Sequence, residues 1–154
     1  MNDTDTLVGA LLHSCSEQVL ETMFFSPVFD EANPEESTGQ QRIASRLHFH
    51  GKPSGDFEVD ADPNVARSLA AGFLGIDDSE ITDDQIEQVM GEFTNMTCGS
   101  ALSSLGRVEY FNLEAPQTAR TEDFHPAVEG VRKGFLLDGG TLSVCLKVDF
   151  ERTN

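Results

Sequence analysis

Residues 82–106 read TDDQIEQVMGEFTNMTCGSALSSLG. The stretch has the punctuation of a helix at both ends. Thr82 and Gln85 have the spacing of a capping box, in which each side chain satisfies a backbone N–H near the helix start. Asp83 and Asp84 fall in the first turn, where the helix dipole favours negative charge. Gly106 is a stop signal. A helix from 83 to 105 spans about 34 Å at 1.5 Å per residue. With Ile86 at 0° and about 100° per residue, Val89, Met90, Phe93, Met96, Thr97 and Ala101 fall within about 80° of one direction. They predict the buried face. Gln88, Glu92, Asn95 and Gly99 fall at about 180–240°, a polar patch turned away from the core, with Gly91 at its edge. Glu92 and Asn95, three residues apart, are surface neighbours. The carboxylate is a fixed charge, and the carboxamide both donates and accepts hydrogen bonds, so it is able to orient a water molecule. Gly99 leaves clearance for an approaching chain.

Around this helix the pattern changes. Residues 6–25 show apolar positions at helical spacing, Val8, Leu11, Leu12, Cys15, Val19 and Met23, with Thr4 or Thr6 as cap and Pro27 beyond the end. Residues 30–41 are acidic and rich in turn formers, which predicts a loop. Residues 42–51 alternate: Ile43, Leu47 and Phe49 point one way, Arg42, Arg46, His48 and His50 the other, as in a half-buried strand. GKPSG turns the chain into a second strand over 56–61, with Phe57 and Val59 inward. Residues 62–75 predict a helix with Asp62 as N-cap, Pro63 at its first position and Gly75 at its end. Residues 107–113 predict a strand. Residues 130–150 predict a hairpin turning at Asp138, Gly139 and Gly140, with Leu142, Val144, Leu146, Val148 and Phe150 alternating along its second arm. Helices and hairpin strands without strict βαβ alternation imply an α+β domain. The expectation is one domain over 1–154, a mainly antiparallel sheet of about five to six strands with the long helix and two further helices packed on it.

The 154 residues carry a formal charge of −17, which disfavours nucleic acid and anionic membrane surfaces as partners and favours a basic protein surface. The densest acidic run, residues 77–92, leads into the long helix and would steer such a partner there. No apolar run approaches the roughly 20 residues of a membrane span, and the N-terminus is acidic rather than basic, so a cytoplasmic location is expected. Cys15, Cys98 and Cys145 are odd in number and widely spaced, the mark of buried reduced thiols rather than of a disulfide or metal framework. His48 and His50 share a strand face at a spacing that can place two imidazoles on one ion. The sequence supplies no third ligand near them, so a polar outward face is expected.

The string GEFTNMTCGSAL, residues 91–102, resembles the signature helix of the CheC/CheX/FliY phosphatases of chemotaxis, closest to the CheX branch. In that motif a Glu and an Asn are separated by two residues, a small or apolar stretch with Gly follows, and a proline comes about twenty residues later. Glu92, Asn95 and Pro116 match it. The order of elements along the chain is also similar. The resemblance implies dephosphorylation of a phosphorylated CheY-type response regulator. Asn95 would position the attacking water, and Glu92 would pair with a basic residue of the regulator. Gln88 and Gly99 would lie in the docking patch. It implies no cofactor of its own, Mg²⁺ carried by the regulator, and a homodimer. Where the family often has Asp or Ser four residues before the Glu, this chain has Gln88. The first helix has Glu17 and Glu21 with no Asn three residues on, so only one motif is present. A non-catalytic module of the same fold, binding a response regulator or a flagellar switch component, is the competing expectation.

Overall fold

The computed structural model describes residues 3–106 and 110–150. Among the described residues seven strands form one antiparallel sheet: β1 (Asp30–Ala32), β2 (Arg42–Lys52), β3 (Ser54–Ala61), β4 (Tyr110–Leu113), β5 (Gln117–Thr121), β6 (Val131–Leu137) and β7 (Gly140–Asp149). Their order is β1-β6-β7-β3-β2-β4, with β5 also paired to β2. The registers place β5 against residues 42–46 of β2 and β4 against residues 49–52, so the two lie end to end along one edge. Three helices, α1 (Asp3–Met23), α2 (Pro63–Leu74) and α3 (Asp83–Ser104), complete the α+β architecture that the sequence implies.

The local signals of α2 and α3 are realised. Asp62 caps α2 by accepting from the Asn64 amide, and Gly75 closes it at φ 68°. At α3 the Thr82 amide donates to Gln85 Oε1 at 2.9 Å while the Gln85 amide donates to Thr82 Oγ1 at 3.2 Å. The β6–β7 hairpin turns at Asp138 and Gly139, with Leu137 opposite Gly140.

Other expectations are corrected. Helix α1 starts at Asp3, so Thr4 and Thr6 lie within it rather than capping it, and Met23 is exposed because the buried stripe runs instead through Val8, Leu12, Cys15, Val19 and Leu20. The segment read as a loop over 30–41 contains β1 and a 3₁₀ turn (Pro34–Ser37). The turn after β2 is tighter than five residues, since β3 resumes at Ser54. Residues 107–109 of the strand expected over 107–113 lie outside the described residues.

The helices share one face of the sheet. Helices α1 and α2 flank α3, which rests on β2, β3 and β5, while α1 rests on β6 and β7. Phe24 at the end of α1 stacks on Phe73 of α2 at 4.9 Å and meets Phe93 of α3 edge-on at 5.3 Å. Ile43, Leu47, Phe49, Phe57 and Val59 meet this layer from the sheet.

The opposite face of the sheet is not solvated as the alternation along β2 suggests. Arg42, expected outward, is only 2% exposed. Its Nε donates to Asp60 Oδ1 at 2.8 Å and its Nη1 to Thr141 Oγ1 at 3.0 Å. Arg132 bridges Asp60, at 3.0 Å, and Glu58, and Arg46 also pairs with Glu58. Burial pushes the Asp60 carboxyl up, against the pull of Arg42 and Arg132. Residues 124–128 close over this network: the Ala127 amide donates to Glu58 at 3.1 Å, and Phe124 and Val128 are buried. A buried ion cluster of this kind is tolerated because each charge has a partner and further hydrogen bonds.

Candidate functional site

The capping box and the flanking helices fix the rotation of α3. Ile86, Val89, Met90, Phe93, Thr97 and Ala101 are buried, as the helical period requires, while Met96 is partly buried against the core. The buried arc is wider than the apolar stripe. Thr94, Cys98 and Leu102, at about 80–160° on the same wheel, are also fully buried, so the packed neighbours of α3 cover one flank beyond the apolar stripe. Thr94 satisfies its hydroxyl by donating to the Met90 carbonyl at 2.7 Å.

What remains is a narrow polar stripe. Gln88 and Glu92 are exposed, and Asn95 and Gly99 are half-buried. The four positions that the sequence assigned to one patch thus sit together along the open side of α3. No hydrogen bond or ion pair among the described residues engages the Glu92 carboxylate or the Asn95 carboxamide. A methyl group built at Gly99 would meet nothing within 4 Å, so the helix surface there is open. Exposed Ser103, one turn beyond Gly99, extends the stripe. Its spacing of four from Gly99 was the available signal in the sequence.

One wall of the stripe comes from β5 and the residue before it. A Cβ at Gly91 would lie 3.7 Å from Pro116 Cβ and 3.8 Å from Thr118 Oγ1, ordinary contact distances. Pro116, far from the helix in sequence, therefore packs one residue away from Glu92. Thr118 is in turn tied to β2 by donating to Ser45 Oγ at 2.9 Å, and Arg120 pairs with Asp83 at 3.0 Å, pinning β5 to the start of the helix. The edge of the sheet thus holds α3 in place from the side.

The arrangement offers a fixed anion, an uncommitted amide and a flat glycine surface on a rigid element. It suits docking of a second protein and hydrogen bonding to a water brought between the two. His48 and His50 do share a face of β2, with ring centroids 4.6 Å apart. His48 Nδ1 lies 2.9 Å from Asp56, and His50 pairs with Glu114. Among the described residues no group of three or more His, Cys, Asp or Glu side chains is arranged to hold a metal ion. Cys15, Cys98 and Cys145 are free and buried. No helix among the described residues is long and apolar enough to cross a membrane.

The sequence model of the family "Chemotaxis phosphatase CheX" matches residues 43–138, from β2 through the β6–β7 turn. The chain belongs to the CheX family. Solved structures agree on the fold. The chemotaxis protein CheX of Vibrio vulnificus superposes with a TM-score of 0.75 at 17% identity, covering 91% of this chain and 95% of that one. CheX in a CheX–CheY–BeF₃–Mg²⁺ complex from Borrelia burgdorferi gives a TM-score of 0.69 at 15% identity, covering 90% and 96%. FliY of Thermotoga maritima gives 0.65 at 14% identity, covering 97% and 92%. No curated protein sequence matches the chain.

Proposed function

We propose that this CheX-family chain accelerates hydrolysis of the aspartyl phosphate on a CheY-type response regulator, with Glu92 and Asn95 as its site. The observation that carries the reading is the stripe on α3. The Glu92 and Asn95 side chains share the open face of a helix whose glycine, Gly99, leaves room for a partner. A protein of the same fold forms a complex with CheY, which supports a regulator of that type as the partner.

Phosphoryl transfer needs little covalent help from a second protein, because its transition state is loose and catalysis rests on positioning and electrostatics. Asn95 contributes the positioning. Its carbonyl oxygen accepts from a water and its NH₂ donates to a phosphoryl or backbone oxygen, which together aim the water in line with the breaking bond. Glu92 contributes attachment, through an ion pair with a basic residue of the regulator, and Gln88 and Gly99 border the contact. The Mg²⁺ of the reaction resides on the regulator, and this chain supplies no metal. The chain works as a homodimer in this proposal, and sedimentation at micromolar concentration tests that part separately.

The deciding experiment follows phosphate loss from a phosphorylated CheY-type regulator of the same genome. Wild type accelerates it. Asn95→Ala lowers the acceleration by about a hundredfold, the scale of a lost positioning contact, without lowering the melting temperature. Glu92→Lys weakens regulator binding about tenfold by turning attraction into repulsion. An unaltered rate with Asn95→Ala rejects the catalytic assignment. The presence of Gln88 where the family often has Asp or Ser favours a second reading, a module that binds the regulator without hydrolysing it. Tight binding of the phosphorylated regulator by wild type with no faster phosphate loss selects that reading.

A further inference from the structure

A second feature lies away from α3, at the opposite end of α1 from its N-terminus. Phe25 has φ 54°, the left-handed conformation that glycine adopts freely and a bulky residue rarely does. Phe25 is 72% exposed and Phe29 62%. The backbone reversal itself has a clear cause. Phe24 turns inward onto Phe73 and Phe93, and the Ser26 amide closes back onto the Leu20 carbonyl at 2.9 Å. The Phe24 carbonyl approaches α2 so closely that a Cβ at Gly72 would lie 2.4 Å from it. The packing therefore requires left-handed backbone at residue 25 but gives no reason for an aromatic ring there. Glycine would satisfy the turn without strain and without exposing apolar surface. Strain of this kind persists only where the surrounding structure imposes it, and it clusters at functional sites.

The two rings border a cleft of about 190 Å³ between the end of α1, α2 and the β6–β7 turn, with Val65 and Leu137 on its walls and Ser68 and Asp138 at its rim. Its size suits one large apolar side chain. No Lys, Arg or His lines it. Exposed Glu21, one turn before Phe25, and Asp30, beside Phe29, add to the negative charge of Asp138, and no ion pair engages these three among the described residues. We infer that this cleft is a docking surface for a second protein, one that inserts an apolar side chain carried on a basic segment. The cleft shares no residue with the stripe on α3 and the inference does not depend on the reading of that stripe. Charge selects the occupant. A second copy of a chain of net charge −17 would bring the same acidic rim, and an anionic lipid surface would be repelled, whereas lysines and arginines flanking the anchor complement the rim. Aromatic side chains are enriched in the cores of protein interfaces, which carry polar rims.

The test uses a labelled peptide with one leucine among lysines and arginines, its leucine-to-serine version, and a version with glutamates for the cations. Wild type binds the first and perturbs the amide resonances of Ser68, Gly72 and Leu137. The serine and glutamate versions bind at least tenfold more weakly. Phe25→Gly also binds at least tenfold more weakly while its melting temperature stays level or rises, and Asn95→Ala binds like wild type. A lower melting temperature for Phe25→Gly makes the ring structural and overturns the inference. So do equal binding by Phe25→Gly, equal binding of the glutamate peptide, or resonance changes centred on α3. Dissociation of a wild-type oligomer by Phe25→Gly, seen in sedimentation, assigns the cleft to a second copy and overturns it as well.

Discussion

Cys98 and Gly99 adjoin in sequence and face opposite surroundings. The Cys98 side chain is fully buried, and burial pushes its thiol from 9.0 up to about 12. Between those values the unfolded chain releases the proton while the folded chain retains it. The stability associated with this group is therefore complete below about pH 9 and is lost as the pH rises towards 12. In practice the thiol stays neutral at pH 8 and is shielded from reagents, since the thiolate is the reactive form. Mass spectrometry after brief iodoacetamide treatment at pH 8 should find Cys98 unmodified in the native protein and alkylated in urea. Gly99 borders open space. Replacing it with leucine removes a mid-helix glycine, which favours the fold by about 0.5–1 kcal/mol. The same side chain projects into the border of the proposed docking face, where a clash costs about 1.4 kcal/mol or more, a tenfold loss. Gly99→Leu should therefore melt slightly higher than wild type yet bind and dephosphorylate the regulator at least about ten times less well. Calorimetry and the phosphate assay on the same sample check both halves.

At the scale of elements, α3 presents its polar stripe because its start is held and α1, α2 and the sheet pack around the rest. The capping box at Thr82 satisfies two of the first amides, and Arg120 of β5 pairs with Asp83 beside it. Thr82→Ala removes the side-chain acceptor and costs about 1 kcal/mol. For a domain of this length that is a fall of about 2–4 °C in melting temperature. Because the cap lies nearly two turns before Gln88, the loss appears in stability and leaves the Asn95-dependent rate little changed. The capping box was readable in the sequence because its partners are three residues apart. The wall formed by Pro116 and Thr118 was not readable as a contact. Pro116 was marked only by resemblance, and its approach to Gly91 depends on β5 pairing with the first half of β2. Strands β1 and β5 escaped the sequence for a related reason. DEA and QTART are short edge segments whose alternation is too brief to register, and partners far along the chain create them as strands.

Across the whole molecule, the sheet separates two different interiors. One side is the apolar layer under the helices. The other holds Arg42, Arg46, Glu58, Asp60 and Arg132 beneath residues 124–128. Glu58 is central to the second, paired with two arginines and accepting from the Ala127 amide. Glu58→Gln keeps its volume but leaves buried guanidinium charge uncompensated, so urea unfolding should show a loss of about 3–5 kcal/mol. Arg46, whose side chain is 40% exposed, should cost about 1 kcal/mol or less when changed to glutamine. The α+β class, the caps of α2 and α3, the hairpin turn and the placing of Glu92, Asn95, Gln88 and Gly99 on one face of a helix were legible in the order of residues alone. Each of these follows from the 3.6- or 2-residue period or from turn chemistry, which act between near neighbours. Packing between distant segments puts Arg42 into a buried ion cluster, lets Cys98 and Leu102 narrow the stripe to its final width, and leaves Phe25 exposed in strained backbone. Those outcomes depend on which distant segment covers a face, and local periodicity carries no record of that.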